Sequence, residues 1–171
     1  MEMLLRLTGV RHGTEAMNIR WNHVEWHTKD GVRYLRTLAS GKTGGRWLIA
    51  KHRAVEVLKR LHARQKDIAG MAFETLFAER VQQLLFRLSD GYQPQSLVGA
   101  SRRLLRDCGL LTGGEGKTRT LYSLRHPYAR PELPCAGTDI HTLSRQMDNS
   151  AAMLERHYSK LTATLAAEKL A

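Results

Sequence analysis

The sequence predicts a mainly helical α+β domain with one small three-stranded antiparallel sheet near its start. Three observations lead to this expectation. Val24 to Thr28, Val32 to Leu38 and Arg46 to Ala50 are rich in β-branched and aromatic residues, and two strong turn signals separate them, Lys29-Asp30-Gly31 and the run from Ser40 to Gly45. Elsewhere apolar residues recur at helical spacing, as in Val55, Leu58 and Leu61. At 171 residues and 42% hydrophobic, the chain can close one core, so a single domain spanning 1–171 is expected.

Taken in order, Thr14 is placed to cap a short helix through Met17 and Arg20, with Glu15 in the first turn, where the helix dipole favours an acid. The three strands then form a meander that carries Lys42 at the tip of its second hairpin. From Ala54 an amphipathic helix carries Val55, Leu58 and Leu61 on one face and Lys59, Arg60 and Arg64 on outer ones. Met71 to Leu88 reads as helical or mixed and ends at Gly91 and Pro94. A further helix begins near Pro94 and carries Leu97, Leu104 and Leu105, with Arg102, Arg103 and Arg106 displayed beside them, until Gly109 stops it. Met147, Met153 and Leu154 have the spacing of core residues, and Leu161, Leu165 and Leu170 mark an amphipathic C-terminal helix.

Composition narrows the partner. Lys and Arg number 27 against 16 Asp and Glu, giving a net charge of +11 and a pI near 10.2, which favours a polyanion such as nucleic acid or an acidic membrane surface. Residues 1–70 hold 14 basic and 6 acidic side chains, so the basic surface is concentrated in the first half. No apolar run approaches the roughly 20 residues that span a bilayer, and Met1 to Leu7 is too short and lightly charged for a secretory signal, so a cytoplasmic location is expected. Cys108 and Cys135 stand apart and are expected as reduced thiols. His23 and His27 fall in a segment that alternates like a strand, where they share a face too widely spaced for easy chelation; no metal site is expected. Gly113-Gly114-Glu115-Gly116-Lys117 lacks the pattern of a phosphate-binding loop that opens on a helix, so no nucleotide site is expected either.

The chemistry rests on Arg11, Arg125 and Tyr158. A guanidinium can hold two phosphate oxygens at once and keeps its charge near neutral pH, so two of them can neutralise a phosphoryl group under attack, with the phenol as attacker. Taken singly, either arginine is equally well read as a structural ion-pair partner, and Tyr158 as a half-buried tyrosine.

Four segments in order resemble the boxes of the tyrosine recombinases, or phage-type integrases, and specifically their C-terminal catalytic domain. Leu7 through Glu15, running into Ile19-Arg20-Trp21, is similar to the first arginine box, and Gly41-Lys42-Thr43-Gly44 to the hairpin lysine. Tyr122-Ser123-Leu124-Arg125-His126 is similar to the second arginine box, and Met147-Asp148-Asn149-Ser150 through His157-Tyr158 to the nucleophile box. The resemblance implies a helical catalytic domain of the DNA breaking-rejoining fold, acting on double-stranded DNA as a homo-tetramer, without metal, ATP or other cofactor. It implies Tyr158 as the nucleophile that leaves a 3′-phosphotyrosyl link and a free 5′-hydroxyl. Arg11 and Arg125 would be the phosphate clamps and Lys42 the general acid. Tyr122 and Asn149 stand where many relatives carry histidine or lysine, and histidine or tryptophan; both can still donate a hydrogen bond to a phosphate oxygen. Glu15, one helical turn after Arg11, is read as the group that orients it. A DNA-binding integrase remnant without turnover and a relaxing topoisomerase remain as alternatives.

The departures are specific. Asp148 replaces a usual glycine, which implies backbone strain and an acid beside the phosphate site. Pro127 fits a first helical turn, whereas Pro131 and Pro134 would break the helix that relatives continue after Arg125, so that helix is expected to be shortened or rerouted. Relatives also carry helices of the catalytic domain and a separate DNA-gripping domain before the first arginine box. With only ten residues before Arg11, the chain is expected to lack both.

Overall fold

A computed structural model describes residues 2–41, 44–114, 116–129 and 138–156. The expectations for Lys42, Pro131, Pro134, Cys135, Tyr158 and the C-terminal helix from Leu161 to Leu170 lie outside these residues.

The chain opens with a helix that the sequence pattern did not single out, α1 (Glu2–Thr8), whose Leu4 and Leu5 are buried. The Thr8 hydroxyl closes it by donating to the Leu4 carbonyl at 2.8 Å. Helix α2 spans only Thr14–Met17. Its flanking residue is Gly13 at φ 84°, so Thr14 is the first helical residue and not the cap. The helix stops before Arg20 because the backbone there joins a distant segment: Leu85 N–H donates to the Ile19 carbonyl at 2.8 Å, and Trp21 N–H donates to the Gln83 carbonyl at 3.0 Å. A 3-10 turn at Trp21–His23 follows. His23 therefore precedes the strand and does not share a strand face with His27; partial burial, then the charge of Arg20, lowers its pKa.

The meander forms as expected, with β1 (Val24–Lys29), β2 (Val32–Gly41) and β3 (Gly44–Ile49) antiparallel in the order β1-β2-β3. The second strand runs three residues past Leu38, and the third starts two residues before Arg46. Register decides which side chains face inward. Leu35, Thr37 and Ala39 are buried on β2, and their β1 and β3 partners are Trp26, Val24, Leu48 and Arg46. Arg46 is thus on the inward face, opposite Ala39. On the other face Arg36 stacks over Trp47 with its guanidinium carbon 4.4 Å from the ring centroid.

Helix α3 (Arg53–Ala63) buries Ala54, Leu58 and His62. The stretch after it is mixed, its helical part confined to α4 (Thr75–Ala78), because residues 81–85 give their backbone groups to 19–22. Helix α5 (Val98–Asp107) begins four residues later than Pro94 and buries Ser101, whereas Leu104 is 49% exposed; its leucines do not form a buried stripe. A 3-10 turn at Leu121–Leu124, a short helix α6 (126–129), α7 (Ile140–Met147) and α8 (151–156) complete the described residues. Pro127 lies within the first turn of α6, where its missing N–H costs nothing. Among the described residues no helix is long and apolar enough to cross a membrane.

Among the described residues the buried side chains form two hydrophobic clusters. The larger gathers α1, the sheet, α3 and Trp21, while the smaller comprises Tyr128, Ala129, Leu143, Met147 and Leu154. Met153, expected in the core, is 44% exposed. The smaller cluster is fastened by Gln146, whose amide donates to the Ile49 carbonyl at 2.9 Å and the Thr8 carbonyl at 3.1 Å and accepts from Ile49 N–H at 3.2 Å. The side chain thereby continues the ladder of β3 as a neighbouring strand would. Gln146→Ala is expected to destabilise the chain by about 1–3 kcal/mol, since it strands backbone groups at the seam. Urea unfolding should show this as a lower midpoint at unchanged slope.

Candidate functional site

The loop between α1 and α2 brings the first arginine to the seam. Gly9 makes this possible: its φ is +69°, and a Cβ there would lie 2.9 Å from Tyr128 Cδ1 and 3.3 Å from Met147 Cγ. Only a residue without a side chain lets the loop of the first arginine box touch both α6 and α7. Two residues on, Arg11 is 38% exposed.

Arg125 arrives from the opposite side, as the residue after the 3-10 turn. That turn is held by a reciprocal pair, Ser123 N–H to the Thr120 carbonyl and Thr120 N–H to the Ser123 hydroxyl, and by burial of Leu121. With Tyr128 and Ala129 buried just beyond, the guanidinium is drawn inside and is only 2% exposed. Its Nε and both terminal nitrogens have no hydrogen-bond partner among the described residues. Burial lowers its pKa to about 10; Tyr122 and Glu15 act in the opposite sense, and Arg11 and Arg46 reinforce the lowering. The cation therefore persists at neutral pH.

Arg11 is engaged. One terminal nitrogen lies 2.9 Å from Asp148 Oδ2, and the other donates to the Asp148 carbonyl. Asp148 ends α7 in the left-handed conformation, φ 47° and ψ 51°, a backbone region that favours glycine. Both consequences of this substitution anticipated from the sequence, an unusual backbone and an acid beside the arginines, are present.

Glu15 does not orient Arg11. It is 5% exposed and pairs with Arg46, because α2 packs against β2 and presents its first turn to the inward face of the sheet. Arg46 also lies 3.7 Å from Asp148 Oδ2. Arg46 lies on a strand that the sequence predicts, and its place two residues before the buried Leu48 marks it as an inward-facing charge.

Tyr122 is 38% exposed and edge-on to both His12, at 6.1 Å, and His126, at 5.3 Å. Asn149 follows Asp148, its N–H donating to the Ser144 carbonyl at 3.0 Å. Of the six residues singled out, Arg11, Tyr122 and Arg125 are gathered electrostatically around one point, and Asn149 adjoins Asp148. Lys42 and Tyr158 lie outside the described residues. The hairpin stem that precedes Lys42 reaches the site, since a Cβ on Gly41 would sit 3.5 Å from Glu15 Oε2.

No family model and no curated protein matches the chain. Solved structures do. The XerH site-specific recombinase bound to its difH substrate before cleavage superposes with a TM-score of 0.61 at 18% identity, over 90% of this chain and 40% of that one. Its post-cleavage complex with palindromic difH gives 0.65 at 17% identity, over 98% and 43%. The Tn1549 transposon integrase in complex with circular intermediate DNA gives 0.60 at 20% identity, over 99% and 58%. The fold is that of a tyrosine recombinase catalytic domain.

Against those recombinases the chain spans between 40 and 58% of their length. Within this recombinase fold the sheet, the loop after α1 and the turn before α6 converge on three guanidinium groups, of Arg11, Arg46 and Arg125, against the carboxylates of Glu15 and Asp148. Such a set can hold one further anion of unit charge, with Arg125 supplying unused donors.

Proposed function

We propose that the chain is the catalytic domain of a site-specific DNA recombinase, of the kind that integrates or excises mobile elements. One observation carries this reading: Arg125 is buried with all three of its nitrogens unpartnered among the described residues. Burying an unpaired charge is costly, and such a group in a native fold calls for an absent anion. A DNA phosphate has the required charge and the paired oxygens that a guanidinium fork matches.

In this reading Arg125 and Arg11 hold the non-bridging oxygens and stabilise the added charge of the pentacoordinate transition state. The Tyr158 oxygen attacks phosphorus, the bond to the 5′-oxygen breaks, and Lys42 protonates the departing oxygen. Tyr122 and Asn149 donate to the phosphate. The 3′-phosphotyrosyl bond conserves the energy of the phosphodiester, so a 5′-hydroxyl of another strand reverses the step without ATP, metal or cofactor. The partner is double-stranded DNA, the working form a homo-tetramer on DNA, and the compartment the cytoplasm.

A second reading is favoured by the Asp148 contact. With Arg11 held by an acid, the chain acts as a DNA-binding remnant with little turnover. A pool of nicked suicide duplexes analysed on denaturing gels separates the two. The recombinase reading expects a covalent protein–DNA adduct that Tyr158→Phe abolishes. Retained binding without any adduct would overturn it and support the remnant. Exchange between two sites, measured next, distinguishes a recombinase from a relaxing topoisomerase.

A further inference from the structure

We propose that Arg46 is a positioning residue of this site, which takes the Asp148 carboxylate from Arg11 when a phosphate arrives. The inference rests on the reading of the three-arginine cluster as a phosphate cradle.

In the free chain both terminal nitrogens of Arg11 are spent on Asp148, one on the carboxylate at 2.9 Å and one on the backbone carbonyl. A phosphate that needs the Arg11 fork must displace that carboxylate. Two anions would then lie side by side, and their repulsion opposes binding unless the carboxylate moves closer to another cation.

Arg46 offers a second berth. Its NH1 is buried and has no hydrogen-bond partner among the described residues, and it already lies 3.7 Å from the same carboxylate oxygen that Arg11 holds. A side-chain displacement of about 1 Å converts this separation into a hydrogen bond. The fork that receives it is fixed. NH2 of Arg46 pairs with Glu15, Nε points to the Gln146 carbonyl at 3.5 Å, and β3 holds the backbone. The carboxylate is therefore the group that moves, and α7 need not.

Charge supports the same exchange. Among the described residues Arg11, Arg46 and Arg125 face Glu15 and Asp148, an excess of one cationic charge. After the transfer Arg46 serves both carboxylates, while Arg11 and Arg125 together face the phosphate.

The test is a thermal-shift titration of the full chain with inorganic phosphate, giving an apparent affinity for four proteins: wild type, Asp148→Asn, Arg46→Lys and the double variant. Asparagine tolerates the left-handed conformation at position 148, so the backbone is preserved. Lysine keeps a charge against Glu15 yet has no second nitrogen for Asp148, which protects the fold. Asp148→Asn is expected to bind phosphate about fivefold more tightly and Arg46→Lys about fivefold more weakly, the scale of a partly exposed ion pair. In the double variant the loss from Arg46→Lys should vanish, because no carboxylate remains to be received; a structural defect at Arg46 would persist. Glu79→Gln, an exposed charge elsewhere, should behave as wild type.

Additive effects, or an unchanged affinity in Asp148→Asn, would overturn the inference. Absence of phosphate stabilisation in every variant would overturn it as well. Failure of the functional reading is seen separately: no Tyr158-dependent adduct alongside the expected phosphate cycle leaves the cradle intact and removes turnover alone.

Discussion

Arg125→Met is expected to raise the melting temperature while sharply slowing strand cleavage. The sign follows from burial. Burial lowers the folded-state pKa of Arg125 to about 10, so the proton is held less tightly in the folded chain than in the unfolded one. A cation with a depressed pKa destabilises the native state at every pH below that value, and the penalty relaxes only as pH rises through about 10. At neutral pH the penalty is on the order of 2–3 kcal/mol. A methionine of similar length fills the space without charge, and for a chain of this size the gain corresponds to a rise of roughly 4–10 °C. Cleavage should fall by about 100- to 1000-fold, the usual cost of deleting one oxyanion donor. A companion measurement separates the causes. Added phosphate should raise the melting temperature of the wild type by mass action and leave Arg125→Met unmoved. A variant that melts lower than the wild type would show that Arg125 is a structural member of the core and not a strained phosphate ligand.

The second large effect belongs to Gly9. A Cβ at φ +69° strains the backbone by about 1–2 kcal/mol. The same Cβ would also press on the Tyr128 ring at 2.9 Å and on Met147 at 3.3 Å, both buried in the smaller cluster. Overpacking adds about 1–3 kcal/mol. Gly9→Ala is thus expected to lower the melting temperature by roughly 5–15 °C. Adduct formation should fall as well, since α6 and α7 part from the loop that carries Arg11. Gly109→Ala supplies the comparison: Gly109 has nearly the same φ, +67°, and nothing within 4 Å, so it isolates the backbone strain. Equal losses in the two variants would contradict the role of Gly9 as the close contact between the clusters.

Several parts of this architecture were legible locally. The meander was, because turn chemistry and β-branched runs act over a few residues, and the observed register follows from them. Helix α3 was, because its apolar spacing suits one buried face. The short α1 was not, since its stability comes from burying Leu4 and Leu5 against distant elements and no cap announces it. The end of α2 was misplaced for the same reason: residues 19–22 exchange their helical hydrogen bonds for partners at 81–85, some sixty positions away. The leucines of α5 read as a buried stripe, yet Leu104 faces solvent, because periodicity marks a face without saying that anything covers it.

At the candidate site the division is similar. Arg11, Tyr122 and Arg125 could be named from their segments, and the acid at Asp148 from its departure from a pattern. Their partners could not. Glu15 is one helical turn from Arg11 in sequence, and that proximity suggested a pair; the sheet brings Arg46 to Glu15 instead and leaves Arg11 to Asp148, 137 residues away.

By itself, then, the sequence determined the basic charge, the small sheet among helices and the residue types able to handle a phosphate, all of which depend on composition or on neighbours along the chain. Only the tertiary structure decided that Arg125 is buried with no hydrogen-bond partner among the described residues, that Arg46 joins the cluster and that Asp148 holds Arg11. Ion pairing and desolvation depend on distance and exclusion of water, and neither exists until the two clusters close around Gly9.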